Sequence, residues 1–208
     1  MTLAPTLDLP VLDVRRGDPS LVRDLLGSPG VLEHGHFELL SGLHTDAFIR
    51  FSALARDAEA LRTIGDWLTP SLKPWNANAL VAPSTAGVAL AWTLARRLAV
   101  PLHLATSGGD GRAVEIPATD ALAGQRILLV NDVVTTGTGM SSLARLVEDA
   151  GAVIAGAAWF ASRSTVDVEA MIAAPTVCVV ALELVAVEPD ECALCRDEVP
   201  VERAADLN

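Results

Sequence analysis

The chain has 208 residues, 51% of them hydrophobic and only 4% aromatic, so it can bury one substantial core and must fill it with aliphatic side chains. Its 15 basic and 26 acidic residues leave a formal charge of −11, which repels phosphate backbones and argues against general nucleic-acid binding, though not against a local anion pocket. No apolar run nears the ~20 residues of a membrane span, Cys178, Cys192 and Cys195 make no disulfide framework, and the opening residues lack a secretory pattern, so a cytoplasmic protein with no membrane partner is expected.

Residues 1–30 read as an N-terminal appendage, with a short capped helix after Asp18-Pro19-Ser20 that ends near Gly27. Residues 30–42 are turn-rich, with a short strand expected at Phe37–Leu40. Asp57–Leu68 has helical spacing, with Leu61, Ile64 and Leu68 on one face, and Pro70 and Pro74 are expected to break the chain after it. The pattern then alternates. Strands are predicted at Ala79–Ala82, Leu102–Ala105, Ile127–Val130, Ala152–Phe160 and Val177–Leu184. Helices are predicted at Thr85–Leu98, Thr138–Ala150 and Val166–Ile172. Ser107–Gly111 is a flexible turn, and Ala113–Ile116 pairs back as a hairpin strand. This alternation implies an α/β fold, a mostly parallel sheet flanked by helices with right-handed crossovers. The main domain spans residues 31–185 with a small N-terminal hood, and residues 186–208 form a tail.

The run Ile127–Met140, ILLVNDVVTTGTGM, is the most informative. A buried strand ends at Asn131-Asp132, the edge where open α/β sheets bind ligands. Thr135-Thr136-Gly137-Thr138-Gly139 then leads into a helix. Such a loop offers hydroxyls, backbone N–H groups and the positive end of a helix dipole to a phosphate. Asp132 can accept hydrogen bonds from ribose hydroxyls, so loop and acid together describe a ribose 5-phosphate cradle. The plainer alternative is a strand–turn–helix corner with a threonine cap. There is no Gly-Lys-Ser/Thr ending and no dinucleotide glycine spacing.

This segment resembles the signature of the type I phosphoribosyltransferases, which bind phosphoribosyl diphosphate (PRPP). Asn131 stands where that pattern has a first acid. Asparagine can still bond a ribose hydroxyl, but it supplies no negative charge. The orotate branch is the nearest resemblance, over roughly residues 31–185. Gly35-His36-Phe37 and Ser41-Gly42-Leu43-His44-Thr45-Asp46 are similar to its base-binding segment. Ser84-Thr85-Ala86-Gly87 lies where the family has its diphosphate loop. Arg163 lies where orotate enzymes set an arginine against the base carboxylate, and the tail Cys192-Ala-Leu-Cys195 with Val199-Pro200 looks like the end of some relatives.

The resemblance implies transfer of phosphoribose from PRPP to a nucleobase such as orotate, as in pyrimidine biosynthesis, with Mg²⁺ and as a homodimer. Asp132 and Arg112 would be catalytic. Asn131, Asp132, Thr135–Gly139 and Ser84–Gly87 would bind PRPP, and Ser41, Gly42, His44 and Arg163 the base. The pattern departs from the family at Leu40 and Ala86, where lysines are usual, and in Ala105–Val114, where Arg112 is the one cation. Cations there stabilise the leaving diphosphate, each worth roughly 3–4 kcal/mol of barrier. Two other readings therefore stay open: a PRPP-binding regulatory protein without catalysis, and a purine-base transferase. His34-x-His36 lacks visible partners for a metal, and His103 is structural. Cys192-x-x-Cys195 is read as reduced thiols first, then as half a metal site, then as a redox pair. A metal there would need a second chain, or His34 and His36, to complete it.

Overall fold

The computed structural model describes residues 12–108, 112–117, 119–163 and 165–204. The elements are β1 (Leu12–Val14), α1 (Pro19–Leu26), β2 (Leu32–Glu38), β3 (His44–Ile49), α2 (Phe51–Ala55), α3 (Ala58–Leu72), β4 (Ala79–Pro83), α4 (Val88–Leu98), β5 (Leu102–Ser107), β6 (Ala113–Glu115), β7 (Arg126–Val130), β8 (Val133–Val134), α5 (Thr138–Asp149), β9 (Val153–Ser162), α6 (Val168–Ile172), β10 (Thr176–Leu182), α7 (Ala193–Arg196) and β11 (Glu202–Arg203).

The main sheet runs β1-β10-β9-β7-β4-β5-β6, with β8 added alongside β9. Its interior pairs are parallel, and β1 and β6 close the edges antiparallel. The α/β reading therefore holds. Strand alternation splits the core into two layers. From β4 and β7, Leu80, Ala82, Leu128 and Val130 face a layer containing α3 and α4. Ala79, Val81, Ile127 and Leu129 face the layer of α5 and α6. A second, smaller sheet, β11-β2-β3, forms the hood.

Several sequence expectations shift. The turn-rich stretch is in large part a strand, β2, because it pairs in register with β3 from Leu32↔Ile49 to Glu38↔His44. Its glycine and charges hide the alternation, and a register shift between His34 and Phe37 interrupts it. Pro70 does not stop α3, which continues to Leu72. Proline there lacks only the N–H that would reach the Asp66 carbonyl, and both residues are exposed to water. Helix α4 starts at Val88, three residues later than predicted, because Ser84–Gly87 forms a turn. Asp18 caps α1 as expected, accepting from the Ser20 and Leu21 amides.

The N-terminal stretch read as an appendage adds β1 to the main sheet, and Val22 and Leu26 are fully buried in its core. The tail adds β11 to the hood. Residues 109–111 of the expected flexible turn lie outside the described residues. No described helix is long and apolar enough to cross a membrane.

Candidate active site

The site is assembled at the carboxyl ends of β4, β7 and β9. Strand β7 ends at Val130, and the chain bends at Asn131-Asp132 before resuming as β8, which pairs with Ala161 and Ser162 of β9. The sequence reading did not include β8, which is only two residues long. Asp132 is buried, and its Oδ1 accepts from the Val133 amide at 2.8 Å. Its carbonyl accepts from the Phe160 and Ala161 amides, so β9 holds the bend rigid. Asn131 Oδ1 accepts from the Asp132 amide at 3.0 Å.

The Ser84–Gly87 turn packs directly against this bend. A Cβ on Gly87 would sit 3.0 Å from the Asp132 amide nitrogen and 3.3 Å from Asn131 Oδ1, closer than normal packing allows. Glycine is thus what lets the expected diphosphate loop touch the expected ribose site. Thr85 Oγ1 is buried with no hydrogen-bond partner among the described residues, while Ala86 is buried where a lysine is usual.

Past β8, Gly137 takes a left-handed φ of 76° as the N-cap of α5. Thr136 Oγ1 and Thr138 Oγ1 lie 2.9 Å apart, so two hydroxyls converge where the first amides of α5 need acceptors. Hydroxyls and the N-terminus of α5 coincide at Thr135–Gly139, the stretch expected to hold a phosphate, and the Thr138 amide already donates to Thr136 Oγ1 at 3.4 Å.

Arg163 stands beside this loop. Its amide donates to the Val134 carbonyl at 2.8 Å. Its Nη2 donates to Thr45 Oγ1 at 3.0 Å and to the Ala47 carbonyl at 2.9 Å, so the guanidinium bridges the main sheet and the hood. The residue is only 3% exposed. Its Nε and Nη1 are nevertheless buried without partners among the described residues. Burial pushes the guanidinium down to about 10, and the Asp46 carboxylate partly offsets this. The group therefore stays charged at neutral pH, with two donors left to offer. The Phe48 ring lies 5.9 Å from the guanidinium carbon.

His44, expected at the base, is not brought to Arg163. Successive residues of a strand face opposite ways, so Thr45 reaches Arg163 while His44 turns toward the tail. There His44 Nδ1 lies 3.2 Å from Cys195 Sγ and 2.9 Å from His36 Nε2. Ser41 and Gly42 occupy the β2–β3 turn, where Gly42 has φ 83° and Ser41 is exposed. Leu40 is 54% exposed beside them. Arg112 is exposed at the start of β6, and its carbonyl accepts from the Gly108 amide. A groove of about 1030 Å³ is lined by Arg15, Trp159, Asp167 and Thr176 among others, and does not include the Thr/Gly loop.

A buried strand ending in an acid, a Thr/Gly loop entering a helix and a second loop pressed against the acid are the architecture of one protein class. The profile of the phosphoribosyl transferase domain matches residues 58–176. Orotate phosphoribosyltransferase of Thermus thermophilus is 31% identical over 181 residues, covering 87% of this chain and 98% of that protein. Two solved structures share the fold. Orotate phosphoribosyltransferase from Aeropyrum pernix has a TM-score of 0.62 at 24% identity, over 77% of this chain and 92% of that one. Adenine phosphoribosyltransferase from Thermoanaerobacter pseudethanolicus has a TM-score of 0.56 at 21% identity, over 65% of this chain and 88% of that one. The chain belongs to the phosphoribosyltransferase family, an enzyme class, and to its orotate phosphoribosyltransferase-like branch.

Proposed function

We propose that this chain transfers phosphoribose from PRPP to a nucleobase that carries a carboxylate, orotate being the candidate. The observation that supports an acidic base is Arg163, a buried charged guanidinium with two donor nitrogens lacking partners among the described residues. Leaving such donors unsatisfied costs roughly 1–3 kcal/mol each. A bound carboxylate would give one of these nitrogens a charge-assisted partner. Adenine carries no carboxylate and offers only neutral ring nitrogens as acceptors.

In the proposed reaction a base ring nitrogen bonds to ribose C1 as the C1–O bond to diphosphate breaks. Thr135–Gly139 hold the 5-phosphate, Asn131 and Asp132 the ribose hydroxyls, and Ser84–Gly87 the diphosphate. The Asp132 carboxylate also stabilises positive charge developing at C1. Mg²⁺ takes oxygen ligands and keeps most of its shell from substrate and water. One carboxylate and one amide oxygen at 131–132 fit a Mg²⁺ bound chiefly by PRPP. That ion would supply charge neutralisation for the leaving diphosphate. A homodimer in the cytoplasm remains the expected setting.

A second reading is favoured by Leu40 and Ala86: a PRPP-binding protein without useful turnover, since lysines usual at both positions are missing. One assay separates the readings. The protein is mixed with PRPP and Mg²⁺ and, in turn, orotate, uracil, adenine and hypoxanthine, and diphosphate release is followed. Release with orotate, lost in Arg163→Ala while PRPP binding persists, supports the proposal. Release with adenine but not orotate overturns it. PRPP binding with no release from any base selects the second reading.

A further inference from the structure

Four side chains that the transfer reaction does not use meet at one point in the hood. His36 Nε2, His44 Nδ1, Cys192 Sγ and Cys195 Sγ all lie within 4.8 Å of one another. His36, His44 and Cys192 are buried and Cys195 is partly so. From these residues we infer a tetrahedral Cys₂His₂ zinc site that clamps the C-terminal tail onto the β2–β3 hairpin.

The spacing suits the ion. With Zn–N near 2.0–2.1 Å and Zn–S near 2.3 Å, the edges of a tetrahedron are about 3.3 Å for N···N and about 3.6 Å for N···S. The corresponding separations are 2.9 Å for His36 Nε2 to His44 Nδ1 and 3.2 Å for His44 Nδ1 to Cys195 Sγ. They are 3.5 and 3.6 Å from His36 Nε2 to Cys192 Sγ and Cys195 Sγ. These four pairs need shifts of a few tenths of an ångström to seat a metal, and the two remaining pairs, within 4.8 Å, need to close by at most about 1 Å.

The surroundings also suit it. His36 Nδ1 lies 2.7 Å from the Val199 carbonyl, which can only accept, so the proton is on Nδ1 and the Nε2 lone pair faces the cluster. An outer carbonyl of this kind is the usual orienting partner of a zinc-bound histidine. The register shift between His34 and Phe37 has the same consequence: it lets the consecutive residues His36 and Phe37 both be buried. His34, on the other side of the shift, is exposed and outside the cluster.

Binding releases one proton from each thiol and leaves two thiolates and two neutral imidazoles on Zn²⁺, a neutral set with no open position. The ion is therefore structural. All four ligands come from one chain, from elements separated by 148 residues between His44 and Cys192 (192 − 44). The neighbour of His44 is Thr45, which holds Arg163, so the clamp also fixes the hood side of the candidate base site.

The test is metal analysis of protein purified under reducing, nickel-free conditions. About one zinc per chain is expected, falling below about 0.1 in the Cys192→Ser/Cys195→Ser double variant, as loss of half a closed ligand set demands. Should that variant not fold, cobalt(II) loading of the wild-type chain gives the intense visible spectrum of a tetrahedral thiolate site. No zinc and no such cobalt spectrum at saturating metal would overturn the inference. So would half a zinc per chain, which indicates a site shared between two copies, or a Cys192–Cys195 disulfide that persists in reductant.

Discussion

Arg163 illustrates how one side chain can be poor for stability, and under the proposed function good for binding. Its Nε and Nη1 are buried without partners among the described residues, while Nη2 makes two bonds. Arg163→Met removes two unsatisfied donors at the expense of two modest hydrogen bonds, and Thr45 keeps its bond to the Val185 carbonyl. The ligand-free protein should then gain on the order of 1 kcal/mol while losing orotate binding. Denaturant unfolding and calorimetry on the same preparation check both halves. The pH dependence follows from the depressed guanidinium. Because folding lowers its pKa, the charged form is favoured less in the fold than in the unfolded chain, yet at neutral pH both are charged. Carboxylate affinity should be level through neutral pH and fall as pH passes about 10. At the phosphate loop, Thr136→Ala with Thr138→Ala removes the converging hydroxyls and should weaken PRPP binding at least about tenfold, roughly 1.4 kcal/mol, by calorimetry.

At the scale of elements, the site depends on where strands end and helices begin. Gly137 turns the chain from β8 into α5 with a left-handed φ, and a Cβ there would also lie 2.8 Å from Met171 Sδ. Gly137→Ala should therefore cost about 1–2 kcal/mol in backbone strain alone. It should also reduce PRPP affinity, since the first amides of α5 would tilt from the phosphate. Thermal unfolding and calorimetry report these separately. Strands β2 and β3 divide their labour by alternation: Thr45 faces Arg163, and His44 faces the cysteines.

Across the whole molecule, the two core layers share β4 and β7 as a common wall. Damage to one layer should then unfold both together. Leu128→Ala, at a residue 1% exposed, should cost about 2–5 kcal/mol and keep a single transition by far-UV circular dichroism and tryptophan fluorescence alike. The hood is joined to the main core through Leu32, Ala47 and Ile49 and through Arg163, while Phe37, Leu39 and Ala204 form a small cluster of its own. Truncation after residue 187 removes α7 and β11 and leaves the main sheet intact. PRPP binding should survive this truncation, and base binding should fall at least about tenfold because Thr45 loses its support.

Much of the main sheet was legible in the sequence. Strands β4, β7, β9 and β10 are apolar runs too short for helices, and α5 follows a Gly/Thr loop whose local chemistry specifies a corner. The residues proposed to hold ribose phosphate were legible for the same reason, since 131–139 are contiguous and their turn is set by their own backbone. The hood was not. Strand β2 is polar, contains Gly35 and breaks register, so only pairing with β3 makes it a strand. The two-residue β8 exists only because β9 offers it an edge. Likewise, the sequence offered His34 and His36 as partners for Cys192 and Cys195, and that His44 stands with His36 in place of His34 became visible only once the tail folded back on the hairpin, because atoms from distant segments share no spacing in sequence. The sequence by itself determined the family, most of the main sheet and the Thr/Gly loop into α5, all set by local pattern. Tertiary structure alone decided that Arg163 keeps two donors unpaired and that His44 belongs with the thiols, because burial and side-chain direction follow from packing between segments far apart in the chain.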